Sequence, residues 1–398
     1  MFSNWLFVRQ LLKTYKNLRV IGIDFMINQT NKPSKNSLLR NVDRAMADLR
    51  RGLCVVVQDE DAAHLVLSTE MAFDAELEIV TALAGVEAHL ALTAHRANVL
   101  HVKPTGAPSI LLKIESWMDA ALMRALADAT HDLDLPFRGP FTRIKGQVAS
   151  TVNASIKLAK LARLLPSTLV CEIDVTRVDE ITKTNDLLSV TAEEIMTYDE
   201  IAASELRPVA VAKVPLQGAE NTRIQAFRPI DGGIEHLAIL IGDPNRHDAV
   251  LARLHSECFT GDLIGSLKCD CGEQLRGAIK SISQEGGGVL LYLAQEGRGI
   301  GLINKLRAYK LQSDGFDTID ANERLGFDAD ERVFRPAAEM LKHLGFKKIR
   351  LMTNNPEKVD GLERCGIEVE ERVTHKFPSN THNELYLATK RKKSGHYL

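Results

Sequence analysis

Apolar residues recur every three or four positions over residues 37–51, and Gly52 follows directly, so the pattern predicts an amphipathic helix that ends there. Residues 53–57 form a short apolar run rich in valine, which indicates a buried strand. Helical and strand patterns then alternate to about residue 201, with a helix predicted over 155–165 and a strand over 168–173. This alternation is typical of an α/β layout.

The pattern changes near residue 206, and we expect a domain boundary there. Beyond it, apolar runs predict strands at residues 224–227, 236–241, 289–293 and 349–352. Helical patterns cover residues 274–284 and the stretch that ends near Ser313. The expected organisation is an N-terminal extension over residues 1–30, an α/β domain over 31–205 and a mixed α/β (α+β) domain over 206–398.

Composition narrows the function classes. The chain has 398 residues, of which 45% are hydrophobic, so it is long enough for two globular domains. Its formal net charge is -2, and no overall field favours nucleic acid or a membrane surface. No apolar run approaches the roughly 20 residues that span a bilayer. We therefore expect a small-molecule partner, with no nucleic acid and no membrane.

The cysteines and the first residues bear on location. Three of the six cysteines lie in one cluster, unlike the spread framework of a secreted disulfide protein, so we expect a reducing, cytoplasmic setting. Charged residues interrupt segment 1–27, which is not a convincing signal peptide. A polar lead typical of an N-terminus begins at Met26, and we hypothesise that translation starts there. The intact mass of the natively expressed protein tests this.

The cysteine cluster consists of Cys258, Cys269 and Cys271, at the spacing C-x10-C-x-C. Thiolates suit zinc, and a catalytic zinc has three protein ligands with a fourth position for water, whereas a structural zinc has four. Such a bound water ionises near neutral pH, so the cluster suggests hydrolysis. Two alternatives stay open: His255 could be a fourth ligand that closes the site, or the cysteines could be core residues.

A glycine-rich segment, Gln295-Glu-Gly-Arg-Gly-Ile-Gly301, precedes the predicted helix that ends near Ser313. Backbone N–H groups at a helix start, together with the positive end of the helix macrodipole, suit phosphate. Arg298 adds a cation with a fixed fork of donors. The alternative is an ordinary loop, but the cysteine cluster upstream favours a phosphate site.

The N-terminal part resembles 3,4-dihydroxy-2-butanone-4-phosphate (DHBP) synthase. The resemblance lies in residues 44–52, 55–61, 153–162 and 170–173. Where that family has its metal-ligating Glu and His, this chain reads Asp61-Ala-Ala-His-Leu65 and Ser150-Thr-Val-Asn153. Magnesium needs carboxylate or comparable donors, and Glu172 alone does not suffice, so we expect an inactive scaffold. His64 could replace a ligand, but a structural role is the simpler interpretation.

The C-terminal part resembles GTP cyclohydrolase II. The motifs are Arg253-Leu-His-Ser-Glu-Cys258, Ser266-Leu-Lys-Cys-Asp-Cys-Gly272, Gln295-Glu-Gly-Arg-Gly-Ile-Gly301, Gly326-Phe-Asp-Ala-Asp-Glu-Arg332 and Thr353-Asn-Asn-Pro-Glu-Lys358. The resemblance implies hydrolysis of GTP to 2,5-diamino-6-(5-phosphoribosylamino)pyrimidin-4(3H)-one, formate and pyrophosphate, the first step of riboflavin biosynthesis. It also implies one Zn²⁺ per subunit, Mg²⁺ with the triphosphate, and a homodimer.

The resemblance assigns roles to individual residues. The zinc ligands would be Cys258, Cys269 and Cys271. Residues expected to bind GTP are Arg253, Leu254, His255, Ser256, Glu257, Gln274, Glu296, Gly297, Arg298, Thr318, Thr353 and Lys358. The expected catalytic residues are Asp330 as proton acceptor, Arg332 as nucleophile toward the α-phosphate, and Tyr309. Arginine stays protonated and is a poor nucleophile, so charge stabilisation is the plainer role for Arg332.

Two further hypotheses remain, of which the first differs in class from a riboflavin-pathway cyclohydrolase and the second is a related enzyme. One is a GTP-binding regulatory protein in which neither part turns over; the other is a cyclohydrolase that serves another pathway. Turnover of GTP separates the first from an enzyme. Ala294 stands where the family often has Arg, which leaves the identity of the product open.

Overall fold

The computed structural model describes residues 35–103, 106–134, 136, 138–230 and 232–375. The chain forms two units, Met1–Ser37 and Leu38–Leu398, and of the first only residues 35–37 are described. The predicted extension over residues 1–30 and the start at Met26 therefore lie outside the described residues. None of the described helices is long and apolar enough to span a membrane.

Within these described ranges, six strands form the first sheet: β1 (Val55–Gln58), β2 (Ala63–Ser68), β3 (His89–Thr93), β4 (Ser109–Lys113), β5 (Ser167–Ile173) and β6 (Leu188–Thr191). Their order is β4-β3-β5-β2-β1-β6. Only the β1/β6 pair is parallel among these neighbours. Successive residues of a strand face opposite sides, and Val56 and Val57 accordingly enter different hydrophobic clusters. Both faces of this sheet are therefore covered.

Among the described residues, seven helices pack with this sheet: α1 (Lys35–Arg50), α2 (Asp74–Ala84), α3 (Ala94–Val99), α4 (Ala120–Ala127), α5 (Ser150–Leu161), α6 (Val178–Asn185) and α7 (Ala192–Ser204). The helix predicted over 37–51 is α1, and Gly52 follows it with φ +78°. The helix predicted over 155–165 is α5, which begins and ends several residues earlier than expected. Arg163 has left-handed φ +60° and Pro166 follows, so the backbone cannot continue as a helix there.

The second sheet has seven strands within the described residues: β7 (Arg207–Lys213), β8 (Thr222–Arg228), β9 (His236–Gly242), β10 (Val250–Ser256), β11 (Gly287–Leu293), β12 (Lys348–Met352) and β13 (Glu368–Val373). The order is β13-β12-β10-β11-β9-β8-β7. Strands β11, β10, β12 and β13 run parallel, while β7, β8 and β9 join as antiparallel neighbours. This mixed sheet, together with the first, confirms the predicted α/β (α+β) class.

In the part of the chain that the structure describes, five helices accompany the second sheet: α8 (Cys271–Gln284), α9 (Leu302–Ser313), α10 (Thr318–Arg324), α11 (Arg335–Leu344) and α12 (Pro356–Arg364). The strands and helices predicted in this part are all present with bounds shifted by a few residues. Strands β7, β10 and β13 and helices α10, α11 and α12 were not predicted. The first sheet ends before residue 206 and the second begins after it, but the division into domains at 206 stays a prediction.

The two sheet regions share a hydrophobic cluster. Ala129 and Leu165 pack there with residues of α9, α10 and the following loop, including Leu311, Leu325 and Phe327. Polar contacts surround the cluster: the Arg307 guanidinium pairs with Glu70 at 2.8 Å and with Asp128 at 2.9 Å. The helices that carry Tyr309 and Thr318 therefore have the N-terminal part as packing partner.

Candidate functional site

The site lies at the carboxyl ends of the parallel strands β10, β11 and β12. Cys258 follows β10, Glu296 follows β11 and Thr353 follows β12. In open sheets with parallel strands, the crevice beyond these ends is where ligands bind. The topology therefore gathers motifs that are far apart in the sequence.

The three cysteines of the predicted metal site converge. Their Sγ atoms all lie within 4.8 Å of one another, and the Cys258 and Cys269 Sγ atoms are 3.8 Å apart. A tetrahedral zinc with Zn–S bonds of about 2.3 Å spaces its sulfurs by about 3.8 Å. A Cβ at Gly261 would lie 2.8 Å from Cys269 Sγ, so only glycine leaves room for the cluster. The donor set and spacing fit zinc.

Lys305 adds a positive charge to the cysteine cluster. Its Nζ lies 3.0 Å from Cys258 Sγ and 2.7 Å from Glu296 Oε1. Hydrogen bonds with Cys269 and Cys271, together with the Lys305 ammonium, hold the pKa of Cys258 far below its usual range. Cys258 is therefore a thiolate, the form that binds metal.

The contacts of His255 do not favour a role as the fourth metal ligand. Its Nε2 is 3.1 Å from the Asp262 carboxylate, and the Tyr292 hydroxyl donates to the same carboxylate at 3.0 Å. Burial lowers the pKa of His255, although Asp262 acts in the opposite direction. Among the described residues, the cysteine trio is the group of His, Cys, Asp and Glu side chains close enough to share an ion. The open three-ligand site is thus the one that the geometry favours.

Arg253 is a buried cation beside the cysteines. Its Nη1 donates to the Met352 carbonyl at 2.9 Å, and its Nη2 donates to Gln274 Oε1. Burial lowers the pKa of Arg253 to about 10, so the side chain stays charged at neutral pH. Lys358 has a similar position, with its Nζ donating to the Leu254 carbonyl at 2.8 Å. These two cations give the pocket a positive lining.

The glycine-rich segment forms a tight turn, Glu296–Gly299, before α9. Gly297 and Arg298 have φ near +60°, which is unusual for arginine and costs roughly 1–2 kcal/mol. The Glu296 carboxylate accepts hydrogen bonds from the Phe259 amide at 2.6 Å and the Gly297 amide at 2.9 Å. The turn therefore joins the cysteine loop to the start of α9.

Asp330 and Arg332 form a close ion pair through the Arg332 Nε and Nη2 atoms. Burial alone would raise the pKa of Asp330, but the hydrogen bonds and charge of Arg332, with the charge of Arg298, hold it below its ordinary value. Asp330 is thus ionised at neutral pH. Arg332 lines the pocket, whereas Asp330 is not among the lining residues.

The pocket brings together nearly all the predicted residues. Those that line it are Arg253, His255, Ser256, Glu257, Cys258, Cys269, Cys271, Gln274, Glu296, Gly297, Arg298, Tyr309, Thr318, Arg332, Thr353 and Lys358. Leu254 and Asp330 are outside the lining. Leu254 is in the hydrophobic core and contributes its carbonyl to Lys358. Burial raises the pKa of the Tyr309 hydroxyl to about 12, so this group is a donor at neutral pH.

Several polar residues that line the pocket had no site role predicted from the sequence: Lys268, Lys305, Gln312, Asn322, Asn354 and Asn355. Lys305 and Tyr309 are one helical turn apart on α9, and this i, i+4 spacing next to the glycine-rich segment was the available signal. Asn355 caps α12 by accepting from the Glu357 amide at 3.0 Å. A capping asparagine carries no separate functional signal in a sequence.

In the N-terminal part, the residues at the DHBP-synthase motif positions bond to one another. His64 Nδ1 is 3.0 Å from Thr151 Oγ1, and both side chains are buried. Ser150 bonds to the Asp59 carboxylate, and Ser109 donates to Asn153 Oδ1 at 2.6 Å. Burial lowers the pKa of His64. This is the arrangement of a structural histidine.

Comparison with known proteins places these features in context. Residues 207–374 match the family profile described as GTP cyclohydrolase II. The chain is 53% identical over 368 residues to "GTP cyclohydrolase-2" of Azospirillum brasilense, covering 92% of this chain and 95% of that protein. It is 35% identical over 406 residues to "Riboflavin biosynthesis protein RibBA" of Chlorobium phaeovibrioides, covering 92% and 98%. Both alignments therefore extend well beyond the profile match.

Among solved structures, RibBX from A. baumannii, described as a two-domain DHBP synthase, aligns with 84% of this chain and 99% of its own. The TM-score is 0.33 and the identity 16%. Similarity at this level carries no argument about the present chain.

Proposed function

The chain belongs to the GTP cyclohydrolase II family, and on that premise we propose that it opens the imidazole ring of GTP with release of formate and pyrophosphate. The remaining product would be 2,5-diamino-6-(5-phosphoribosylamino)pyrimidin-4(3H)-one, for riboflavin biosynthesis. The observation that carries the proposal is one pocket in which a cysteine trio faces the cations Arg253, Arg298 and Lys358. Such a pocket suits a single ligand that combines a base to be hydrolysed with a polyanion.

We propose zinc as the ion of the cysteine trio, since three converging sulfurs with the spacing of a tetrahedral thiolate site support it. When bound, zinc would supply a Lewis acid that activates water. Lys305 compensates part of the negative charge of the ligands through its contact with Cys258. The same ammonium holds Glu296, which orients the turn that faces the ligand.

We propose that the polyphosphate lies against the cations of the pocket, with Mg²⁺ sharing its charge. Guanidinium groups bind phosphate with two parallel hydrogen bonds, and Arg298 and Arg332 both line the cavity. The pairing with Asp330 orients Arg332 toward phosphate charge as it develops. The lowered pKa of Asp330 makes it a weak base. We propose that Asp330 orients Arg332, in addition to its predicted role as proton acceptor.

For the N-terminal part we propose that it carries out no DHBP-synthase reaction. The chain lacks the Glu and His ligands at the motif positions, and His64 and Asn153 are engaged in hydrogen bonds with neighbouring side chains. Magnesium prefers several oxygen ligands in near-ideal geometry, which this arrangement does not supply.

We also propose a cytoplasmic homodimer. Exposed apolar side chains support an interface: Leu263, Ile264, Leu267, Ile303 and Leu306.

Metal content and turnover test these proposals together. Purified protein should contain about one zinc per chain by elemental analysis and release formate from GTP and Mg²⁺. Cys269→Ser should lose most of the zinc and the formate release, because one of three thiolate ligands is missing. Cys365→Ser, outside the cluster, is the control and should retain both. Zinc retained in Cys269→Ser would refute the assigned site, and butanone phosphate formed from ribulose 5-phosphate would refute the inactive N-terminal part.

A further inference from the structure

Residues 328–332, which we name the dyad segment, carry Asp330 and Arg332 but belong to no helix or strand. The segment depends on specific contacts for its shape. The Glu331 amide donates to the Arg298 carbonyl at 3.0 Å, and Arg298 Nη1 donates to the Ala329 carbonyl at 3.1 Å. A Cβ on Gly299 would lie 2.9 Å from the Glu331 carbonyl carbon. The dyad segment and the glycine-rich turn therefore support each other.

A residue of the N-terminal part holds the same segment from the opposite side. Lys160, in the last turn of α5, has its Nζ 2.6 Å from Glu331 Oε1 and 3.1 Å from Asp328 Oδ2. The same Glu331 oxygen accepts a hydrogen bond from the Asp328 amide at 2.9 Å. One carboxylate thus closes the segment on itself and ties it to α5.

The Lys160 contact is sheltered from water. The side chains of Lys160 and Glu331 are 16% and 17% exposed, while that of Asp328 is 59% exposed. A sheltered, hydrogen-bonded ion pair loses more on removal of one partner than a surface pair does. Without the ammonium, Glu331 and Asp328 would also repel each other within the segment.

The end of α5 contacts the glycine-rich region as well. A Cβ on Gly301 would lie 3.2 Å from Arg163 Cβ, and Asn304 Nδ2 donates to the Arg163 carbonyl at 3.0 Å. Arg163 follows Lys160 closely in sequence. The end of α5 and the residues just after it therefore contact both the start of α9 and the dyad segment.

We propose that Lys160 is a positioning residue for the cyclohydrolase reaction, acting through Glu331 to hold the dyad segment so that Arg332 faces the pocket. This inference rests on the proposed function. Lys160 is outside the lining of the pocket, so we assign it no direct role in binding GTP. Arg253, Lys358 and the cysteine trio are held by other contacts, and substrate binding should depend little on Lys160. Its effect should therefore fall mainly on kcat.

The chain offers a matched control on the same helix. Lys157 is one turn before Lys160 and pairs with Asp199 of α7, within the N-terminal part. Both lysines are partly buried and both have an acidic partner. Lys157→Met therefore reproduces the loss of a sheltered lysine on α5 without touching the dyad segment. Lys160→Arg keeps the charge and tests rescue.

The experiment measures the rate of pyrophosphate release from GTP, the step assigned to Arg332, for full-length variants, with Tm and hydrogen exchange in parallel. Lys160→Met should lower kcat about tenfold and change the KM for GTP by less than about twofold, since small misplacement of a reacting group is costly. Lys160→Arg should return to within about threefold of wild type, and Lys157→Met should match wild type. Glu331→Gln should lower kcat similarly, and the double variant should be no worse, as expected for one coupled pair.

Hydrogen exchange separates failure of this inference from failure of the proposed function. In Lys160→Met, without GTP, amides of residues 296–301 and 328–332 should exchange at least about fivefold faster than in Lys157→Met, because their mutual contacts loosen. Wild-type protein that releases no formate would overturn the proposed function. The hydrogen-exchange result alone would then test whether Lys160 holds the dyad segment. Wild-type kcat in Lys160→Met, equal losses in both lysine variants, or unchanged exchange would each overturn the positioning role.

Discussion

The side chains of the site hold one another in place through specific contacts. The sequence predicted some of these contacts and missed others. The cysteine spacing predicted a converging trio, and Cys258, Cys269 and Cys271 do converge. The same spacing left His255 as an open fourth ligand, because sequence does not show that Asp262 and Tyr292 engage its ring region. Their partnership depends on the register of β10 and β11, which is a long-range property.

At this scale, Arg332→Lys tests the role of a guanidinium at phosphorus. Lysine keeps the charge but cannot form two parallel hydrogen bonds with Asp330 or with phosphate. We expect pyrophosphate release to fall about tenfold or more while formate release stays within about threefold of wild type. Both products are measured in the same reaction. Equal loss of both would contradict a role confined to the phosphate step, and Lys342→Met on an exposed face serves as control.

Among the elements of the second sheet region, several amphipathic helices and apolar strands were predicted from the sequence, whereas strands β7, β10 and β13 were not. Strand β10 is buried yet contains Arg253 and His255, so its pattern does not resemble an ordinary core strand. Sequence patterns fail at such places because function requires polar groups inside the protein. Strand β7 is exposed along its whole length and contains Pro208, as an edge strand tolerates. Its apolar residues, among them Val209 and Val211, are exposed, so this strand has no buried face.

A histidine just after β13 leads to a prediction about how stability depends on pH. His375 is buried, its Nε2 donates to the Gln274 carbonyl at 2.9 Å, and burial with the charge of Arg253 lowers its pKa from 6.5 to about 4. A folded pKa below the unfolded one means that unfolding takes up a proton. This stabilising contribution is complete above pH 6.5 and is lost as the pH falls toward 4. By pH 4.5 the loss from this one group is roughly 2–3 kcal/mol.

The measurement is denaturant unfolding at pH 7.5 and 4.5 for wild type and His375→Gln, whose amide can still donate to Gln274. The difference in unfolding free energy between the two pH values should be smaller in the variant by roughly 2 kcal/mol. His247→Gln, in an exposed loop, is the matched control and should keep the wild-type difference. An unchanged difference in His375→Gln would mean that this histidine is not held neutral in the folded protein.

Across the whole molecule, the two-sheet class followed from the alternation of patterns, but the contact between the sheet regions did not. That contact joins residues far apart in sequence, such as Arg96 and the Arg324 carbonyl at 3.2 Å. Arg96 is fully buried and also pairs with Asp132 at 2.7 Å. A buried charge of this kind has no periodic signature. The N-terminal part is therefore attached to the site region by contacts that no motif revealed.

Gly326 tests the importance of this attachment. It has φ +88°, and a Cβ there would lie 2.8 Å from Thr93 Oγ1 and 2.9 Å from Pro166 Cγ, both in the N-terminal part. Gly315 has φ +101° with no atom within 4 Å of its Cβ position. Alanine should therefore strain the backbone at both sites, at roughly 1 kcal/mol, but clash only at Gly326.

We expect Gly326→Ala to unfold with about 1–3 kcal/mol less free energy than Gly315→Ala, since overpacking costs this much. It should also release formate more slowly, because Phe327 and the dyad segment follow directly. Denaturant titration and the formate assay give both values. Equal stability and equal activity of the two variants would show that close packing at Gly326 is dispensable.

The most direct test of the central claim is product analysis of purified, zinc-loaded protein incubated with GTP and Mg²⁺. The account predicts one formate and one pyrophosphate for each GTP consumed, and a product with the mass of 2,5-diamino-6-(5-phosphoribosylamino)pyrimidin-4(3H)-one. GTP bound without turnover would contradict the account and favour a regulatory binding protein. Formate released without pyrophosphate would contradict the assigned product and leave a different ring-opened nucleotide.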